Sequence, residues 1–319
     1  MNAVSRGLSR AGKALRALNW AGITRVVVPA GVAVGLVAFT TANPREFDLV
    51  QASGATESSV AGVSLATRVT QACAGPELRG LPGVPDATIP ATVTAAAGPE
   101  ELMPAPVTGD GRLVAASGGT EVLSLGTRPG VQSAPLGGAG AVVLTGEGPL
   151  APAVAGTQEW RVERPELRGL VSVPCGPGAA EHWLLGGGEG PGRQERLVLS
   201  NPGANPVTAD VTVHGAAGPL ADPYVETVPP GGRVSLLLDA KAGEESLLAV
   251  HVRAAGGGVH ATLTDTWIEG SRALGAETTS ATAAPGEVQV VPGVAFGGGP
   301  PAVRVAVPGD QDAVVRVSA

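Results

Sequence analysis

From residue 157 onward, apolar and polar residues alternate in short runs. Val207, Ala209, Val211 and Val213 alternate with Thr208, Asp210, Thr212 and His214. Val234, Leu236 and Leu238 alternate with Arg233, Ser235 and Asp239, and Leu237 interrupts the polar row. Leu248, Val250 and Val252 alternate with Ala249, His251 and Arg253; Val259, Ala261 and Leu263 alternate with His260, Thr262 and Thr264. In an extended chain successive side chains point to opposite faces. Each run therefore predicts a strand with one buried and one exposed face. Clusters of Asn, Gly and Pro between the runs predict turns: "NPGANP" at 201–206, "PPGG" at 229–232 and "AAGGG" at 254–258. Residues 201–206 read as a turn between two half-buried antiparallel strands. Seven or eight short strands at this spacing predict an all-β fold, a β-sandwich of immunoglobulin-like type, with a small barrel as the alternative.

Residues 61–156 read as a first β-rich domain. Its strand candidates are "GVSLATRVT", "RLVAAS", "EVLSL" and "AVVLT", separated by turn clusters. Residues 157–282 read as the immunoglobulin-like sandwich. Shifting the 181–213 segment by 106 residues places Glu181, Leu184, Leu185, Gly187, Pro202, Gly203 and Val211 on Glu287, Val290, Val291, Gly293, Pro308, Gly309 and Val317. That spacing is one sandwich domain, so 283–319 reads as the start of a second, truncated repeat in a tandem array, or as strands that complete the preceding one. An unfinished sheet leaves open edges that favour strand addition by a partner. The hexapeptide "PELRGL" occurs at 76–81 and again at 165–170, and chance and structure explain it equally well.

The N-terminus breaks the strand pattern. Residues 26–42, "VVVPAGVAVGLVAFTTA", carry no charge and follow Arg6, Arg10, Lys13, Arg16 and Arg25. An apolar run at the short end of membrane-spanning length with a basic flank predicts a transmembrane anchor, with residues 1–25 as a cytoplasmic tail. Residues 43–60 then form a linker, and the C-terminal part lies outside the cell. The alternative is a signal peptide whose cleavage releases the chain.

Composition adjusts this picture. Aromatic residues are only 3%, so the core must be built of Val, Leu and Ala. The 48 Gly and 28 Pro approach the level at which disorder competes with folding, and the alternation argues for folding. The net charge of −7, with five of the 21 basic residues and no acidic residue before the anchor, leaves an acidic body and excludes nucleic acid as its partner. Export allows the two cysteines, Cys73 and Cys175, to pair. Closing a loop of about 100 residues contributes roughly 4.7 kcal/mol in the chain-entropy model. Neither cysteine has zinc-ligand spacing.

"ACAGPELRGL", "VPCGPGAAEHWLLGGG", "RLVLSNPGANPVTADVTVHGAAGP" and "VPPGGRVSLLLD", with the basic and apolar N-terminus, resemble an actinobacterial family of secreted, membrane-anchored proteins whose function is not assigned. The resemblance covers most of 60–319 and implies no activity and no functional residues.

A nucleophile–base arrangement needs Ser or Cys with His and a carboxylate, and no GxSxG turn is present. The four histidines are His182, His214, His251 and His260; the last three fall on polar strand faces and read as exposed. His251 and His260 could face one another across a hairpin at 255–257, with Asp265 or Glu269 completing a metal site, but this spacing matches no ligand motif. "GGGEGPG" at 186–192 and "AAGGG" lack the strand–helix context of a phosphate loop. Asp265 falls on an apolar face and would need partners if buried, unless the strand ends or bulges there. Trp183 and Trp267 read as core residues, and Trp160 as core or groove.

The expectation is therefore a non-enzymatic, membrane-anchored extracellular protein that binds envelope proteins or has a structural role, with no cofactor and no metal. The alternative is a cell-wall carbohydrate-binding module with Trp160 or Trp183 as its stacking platform. An exported hydrolase is a third reading that lacks a catalytic constellation.

Overall fold

Runs rich in Val, Thr and Ala between Gly and Pro breakers form strands between Arg68 and Ser280. The computed structural model describes residues 65–319 apart from 76, 80–86, 138–140, 165–166, 188–191, 221–222, 239–244, 246–247, 271, 292–302, 310–311 and 319. The expected tail, anchor and linker (1–25, 26–42 and 43–60) lie outside the described residues. Among those that are described, no helix is long and apolar enough to cross a membrane.

The strands are β1 (Arg68–Cys73), β2 (Glu77–Arg79), β3 (Ala87–Ile89), β4 (Ala91–Ala97), β5 (Arg112–Ser117), β6 (Thr120–Leu125), β7 (Gly130–Leu136), β8 (Val142–Glu147), β9 (Val154–Arg164) and β10 (Leu167–Pro174). They continue as β11 (Glu181–Leu185), β12 (Arg193–Ser200), β13 (Val207–Gly215), β14 (Gly218–Pro219), β15 (Tyr224–Val228), β16 (Arg233–Leu237), β17 (Ala249–Ala255), β18 (His260–Glu269) and β19 (Arg272–Ser280).

The all-β prediction holds, but the expected tandem immunoglobulin-like sandwiches are corrected. The sheets are arranged as the four blades of a β-propeller. Blade 1 has the order β1-β8-β5-β6 and blade 2 the order β10-β9-β4-β7. Blade 3 runs β11-β17-β13, with β14 and β15 both paired to β13; blade 4 runs β16-β12-β18-β19. The blades are not successive meanders, because strands of blades 1 and 2 interleave along the chain, as do those of blades 3 and 4. The physical reason for the missed arrangement is that a period of two reports one buried face per strand. It does not report which sheet the strand joins.

Two apolar cores follow. Blades 1 and 2 enclose Val93, Leu113, Leu144, Trp160 and Val173, among others. Blades 3 and 4 enclose Leu184, Leu197, Leu199, Val211, Val250 and Leu263. The inward rows read from the alternation are buried: Val207, Ala209, Val211 and Val213 are each no more than 3% exposed. The predicted break at 156/157 falls inside β9, which pairs with β4 and belongs to the first core. The 201–206 turn joins β12 to β13, so it passes from blade 4 to blade 3 rather than making a hairpin. The described residues of 283–319 contain no strand, and Val290, Val303, Val305, Val315 and Val317 are exposed. Among these described residues no strand of the expected further repeat is formed.

Both faces of blade 4 are covered. One closes the second core. The other lies against the first half, where β10 packs beside β19: a side chain at Gly169 would meet Ala276 at 3.0 Å and the Trp160 ring at 3.1 Å.

Candidate functional site

The outer face of blade 3 gathers two of the chain's four imidazoles and one indole. Strand register sets Glu181, Arg253 and Asp210 in one row and Trp183, His251 and Thr212 in the next. Period two puts this row opposite Leu184 and Val250, which face the core. Trp183 stacks flat on His251, with ring centroids 4.2 Å apart and planes 9° from parallel. His214, diagonal to His251 on the neighbouring strand, tilts against Trp183 at 5.3 Å and lies 6.3 Å from His251. His251 Nε2 donates to Glu181 Oε1 at 2.8 Å, and this bond holds the exposed Glu181 carboxyl below the usual carboxylate range. Burial, then the neighbouring His251, lowers the His214 pKa. Its Nε2 is buried without a hydrogen-bond partner.

A second cluster lies where the two halves meet. Cys73 and Cys175 form a disulfide that ties the end of β1 in blade 1 to the residue after β10 in blade 2. Ala72 and Gly176 exchange backbone hydrogen bonds at 2.7 and 2.9 Å. Gly176 packs against the His260 ring, and any side chain there would meet Nδ1 at 2.7 Å. His260 is only 7% exposed. Burial, then the nearby His182, lowers its pKa to about 4, opposed by a hydrogen bond to the Pro174 backbone. Ser200 is the cross-strand neighbour of His260. His260 Nε2, Ser200 Oγ and Thr262 Oγ1 are buried polar atoms without protein hydrogen bonds, the usual setting for ordered water. Arg233 donates to the Ala74 carbonyl across the same junction.

Asp265 is 5% exposed and has found the partner that its position on the apolar row required. Arg193 grips it through Nε, at 2.9 and 2.8 Å from the two carboxylate oxygens, and through Nη2. The same guanidinium lies 5.1 Å from the Trp267 ring centroid. The strand does not end at Asp265; its register slips two residues later, between Trp267 and Ile268. Deleting the carboxylate strands a partly buried guanidinium. Asp265→Ala is expected to lower the unfolding free energy by about 2 kcal/mol, read as a lower urea midpoint with an unchanged slope.

The structure relocates the other sequence candidates. Trp160 is 3% exposed inside the first core, so it offers no face to a sugar. Trp183 is 9% exposed, and one of its faces is taken by His251; it is no open stacking platform either. His251 and His260 are not brought together, because β17 belongs to blade 3 and β18 to blade 4. His260 is buried rather than exposed, since its face of blade 4 is covered. Among the described residues no group of three or more His, Cys, Asp or Glu side chains is gathered closely enough to hold a metal ion. The His214–His251 pairing escaped sequence reading, although both residues stood on predicted polar faces. Only the pairing of β13 with β17 makes them neighbours.

A groove of about 430 Å³ separates blade 1 from the loops of the second half. Its floor is Thr70, Thr145 and Val143, and its far wall is Pro202, Gly203, Ala204 and Gly231. Arg68 stands at its margin, paired to Glu147.

With this geometry in hand, comparison with known proteins places the chain in a family. Residues 130–319 match the model of a family of unknown function, DUF5719. The match covers more than half of the chain, which belongs to that family. No curated protein matches it.

Proposed function

We propose that this is an exported, disulfide-locked protein of the cell envelope that acts by binding a protein partner and not by catalysis. The buried Cys73–Cys175 bond carries the reading. Such bonds form and persist in oxidising compartments outside the cytosol. The uncharged 26–42 run behind a basic flank fits the same route of export. For the binding surface, the groove beside blade 1 is the best candidate. Its threonines offer hydroxyls that donate and accept, Arg68 at its margin is already paired with Glu147, and its open form suits an extended backbone segment rather than a charged small molecule.

The test is made in living cells. A photo-crosslinking residue at Thr145 or Ala204 is expected to capture one envelope protein, and the same residue at exposed Val225 is not. Alkylation of intact cells should leave Cys73 and Cys175 unmodified until reductant is added. Two free thiols that react with a membrane-permeant maleimide but not with an impermeant one would place the chain in the cytosol and overturn the proposal.

A further inference from the structure

The imidazole pair on blade 3 has the parts of a metal site that the proposed function does not use. Glu181 accepts the Nε2 hydrogen of His251 at 2.8 Å. In a neutral imidazole only one nitrogen carries hydrogen, so this bond leaves Nδ1 as the lone-pair nitrogen. A carboxylate that holds one nitrogen of a histidine while the other ligates is the recurrent support for a bound metal. It fixes the tautomer and raises the basicity of the ligand. His214, 6.3 Å away between centroids, brings a second nitrogen, and its Nε2 is buried with no hydrogen-bond partner. A buried ring nitrogen without a partner is costly; in the tautomer with its hydrogen on Nδ1, His214 presents at Nε2 a lone pair that calls for either a water or a Lewis acid. Metal–imidazole bonds run about 2.0–2.1 Å. With the ring radii added, two of them come close to spanning the observed separation, and a modest rotation of either ring closes the rest.

We propose that His251 Nδ1 and His214 Nε2 form a two-imidazole site for a divalent transition-metal ion, with Glu181 as the carboxylate that orients His251. Imidazole ligands suit copper, nickel and zinc, and for a given site copper binds tighter than zinc. Two protein nitrogens leave the remaining positions to water, so the ion is exchangeable and accessible. The site is independent of the groove and of its partner.

Trp183 supplies a built-in reporter. Its ring lies flat on His251, and Cu(II) quenches indole emission at short range. Copper(II) chloride is titrated at neutral pH into the tag-free full chain, followed by emission and by isothermal calorimetry. The expected result is quenching that saturates at one ion per chain, reverses with EDTA and is competed by Zn(II). Trp183→Phe should remove the quenching while the heat of binding remains. His214→Gln and His251→Gln should each weaken binding at least 10-fold, and Glu181→Gln by about 10–100-fold, the range for loss of a supporting carboxylate. No saturable binding in the wild-type chain would overturn the proposal and leave His214 Nε2 to water. Wild-type affinity in both histidine variants would overturn it equally, by placing the ion elsewhere.

Discussion

Replacing both cysteines, Cys73→Ala with Cys175→Ala, is expected to cost up to about 4.7 kcal/mol of stability, the chain-entropy value for a loop near 100 residues. The two half-cystines are 102 residues apart in sequence, so the reduced unfolded chain gains a large conformational space. Alanine is the right substitute because Cys73 is fully buried and Cys175 nearly so; serine would add the separate cost of burying a hydroxyl. A domain is stable by only about 5–15 kcal/mol, so a loss of this size removes a large fraction of the total. It should appear as a lower urea midpoint and a melting temperature lower by several degrees. It should also appear locally. Ala72 and Gly176 exchange backbone hydrogen bonds directly beside the bridge, and their amides should lose hydrogen-exchange protection before those of Leu263 or Val250 in the second core. A loss below about 1 kcal/mol would mean that the first core and the junction hold β1 and β10 together without the bond.

How much of this was readable from the chain varies by residue. Val207 to Val213 and Val259 to Leu263 announced their buried rows because alternation is a local property of the pleat. The sheet each strand enters is decided by contacts distant in sequence. The 201–206 and 255–257 segments look like hairpin turns, yet both carry the chain from one sheet to another. Glycine and proline set a turn's dihedrals but not the partner of the strand that follows. For the same reason the alternation could bring His251 opposite His260 across an apparent hairpin, while His251 and His214 are the neighbours in space. Asp265 was legible as an anomaly, a carboxylate on an apolar row. Its answer, Arg193, needed the β12–β18 register. Trp160 was legible only as a large ring for either a core or a groove, and the structure places it in the first core. The burial of His260, Thr262 and Thr264 was not legible, since a polar row implies solvent and here the other half of the molecule covers it.

That covered row gives the second large effect, a loss of stability in mild acid. In the unfolded chain the His260 imidazole titrates near the ordinary value of about 6.5. In the folded protein its pKa is about 4, because protonation would put a charge into the junction beside Gly176 and close to His182. As pH falls below about 6.5 the unfolded state takes up the proton first, so acid favours unfolding. The penalty grows by about 1.4 kcal/mol per pH unit and levels off near the folded pKa of about 4. It reaches about 3 kcal/mol there. Above pH 6.5 neither state is protonated and the term vanishes. Other groups titrate over the same range, so the informative quantity is a difference. His260→Gln keeps a polar group at this position but cannot be protonated. The wild-type chain should lose about 3 kcal/mol more than this variant between pH 7 and pH 4, measured by urea unfolding at each pH. Parallel profiles would show that the imidazole is solvated in the folded state, and with it that the junction between the two halves is open to water at His260.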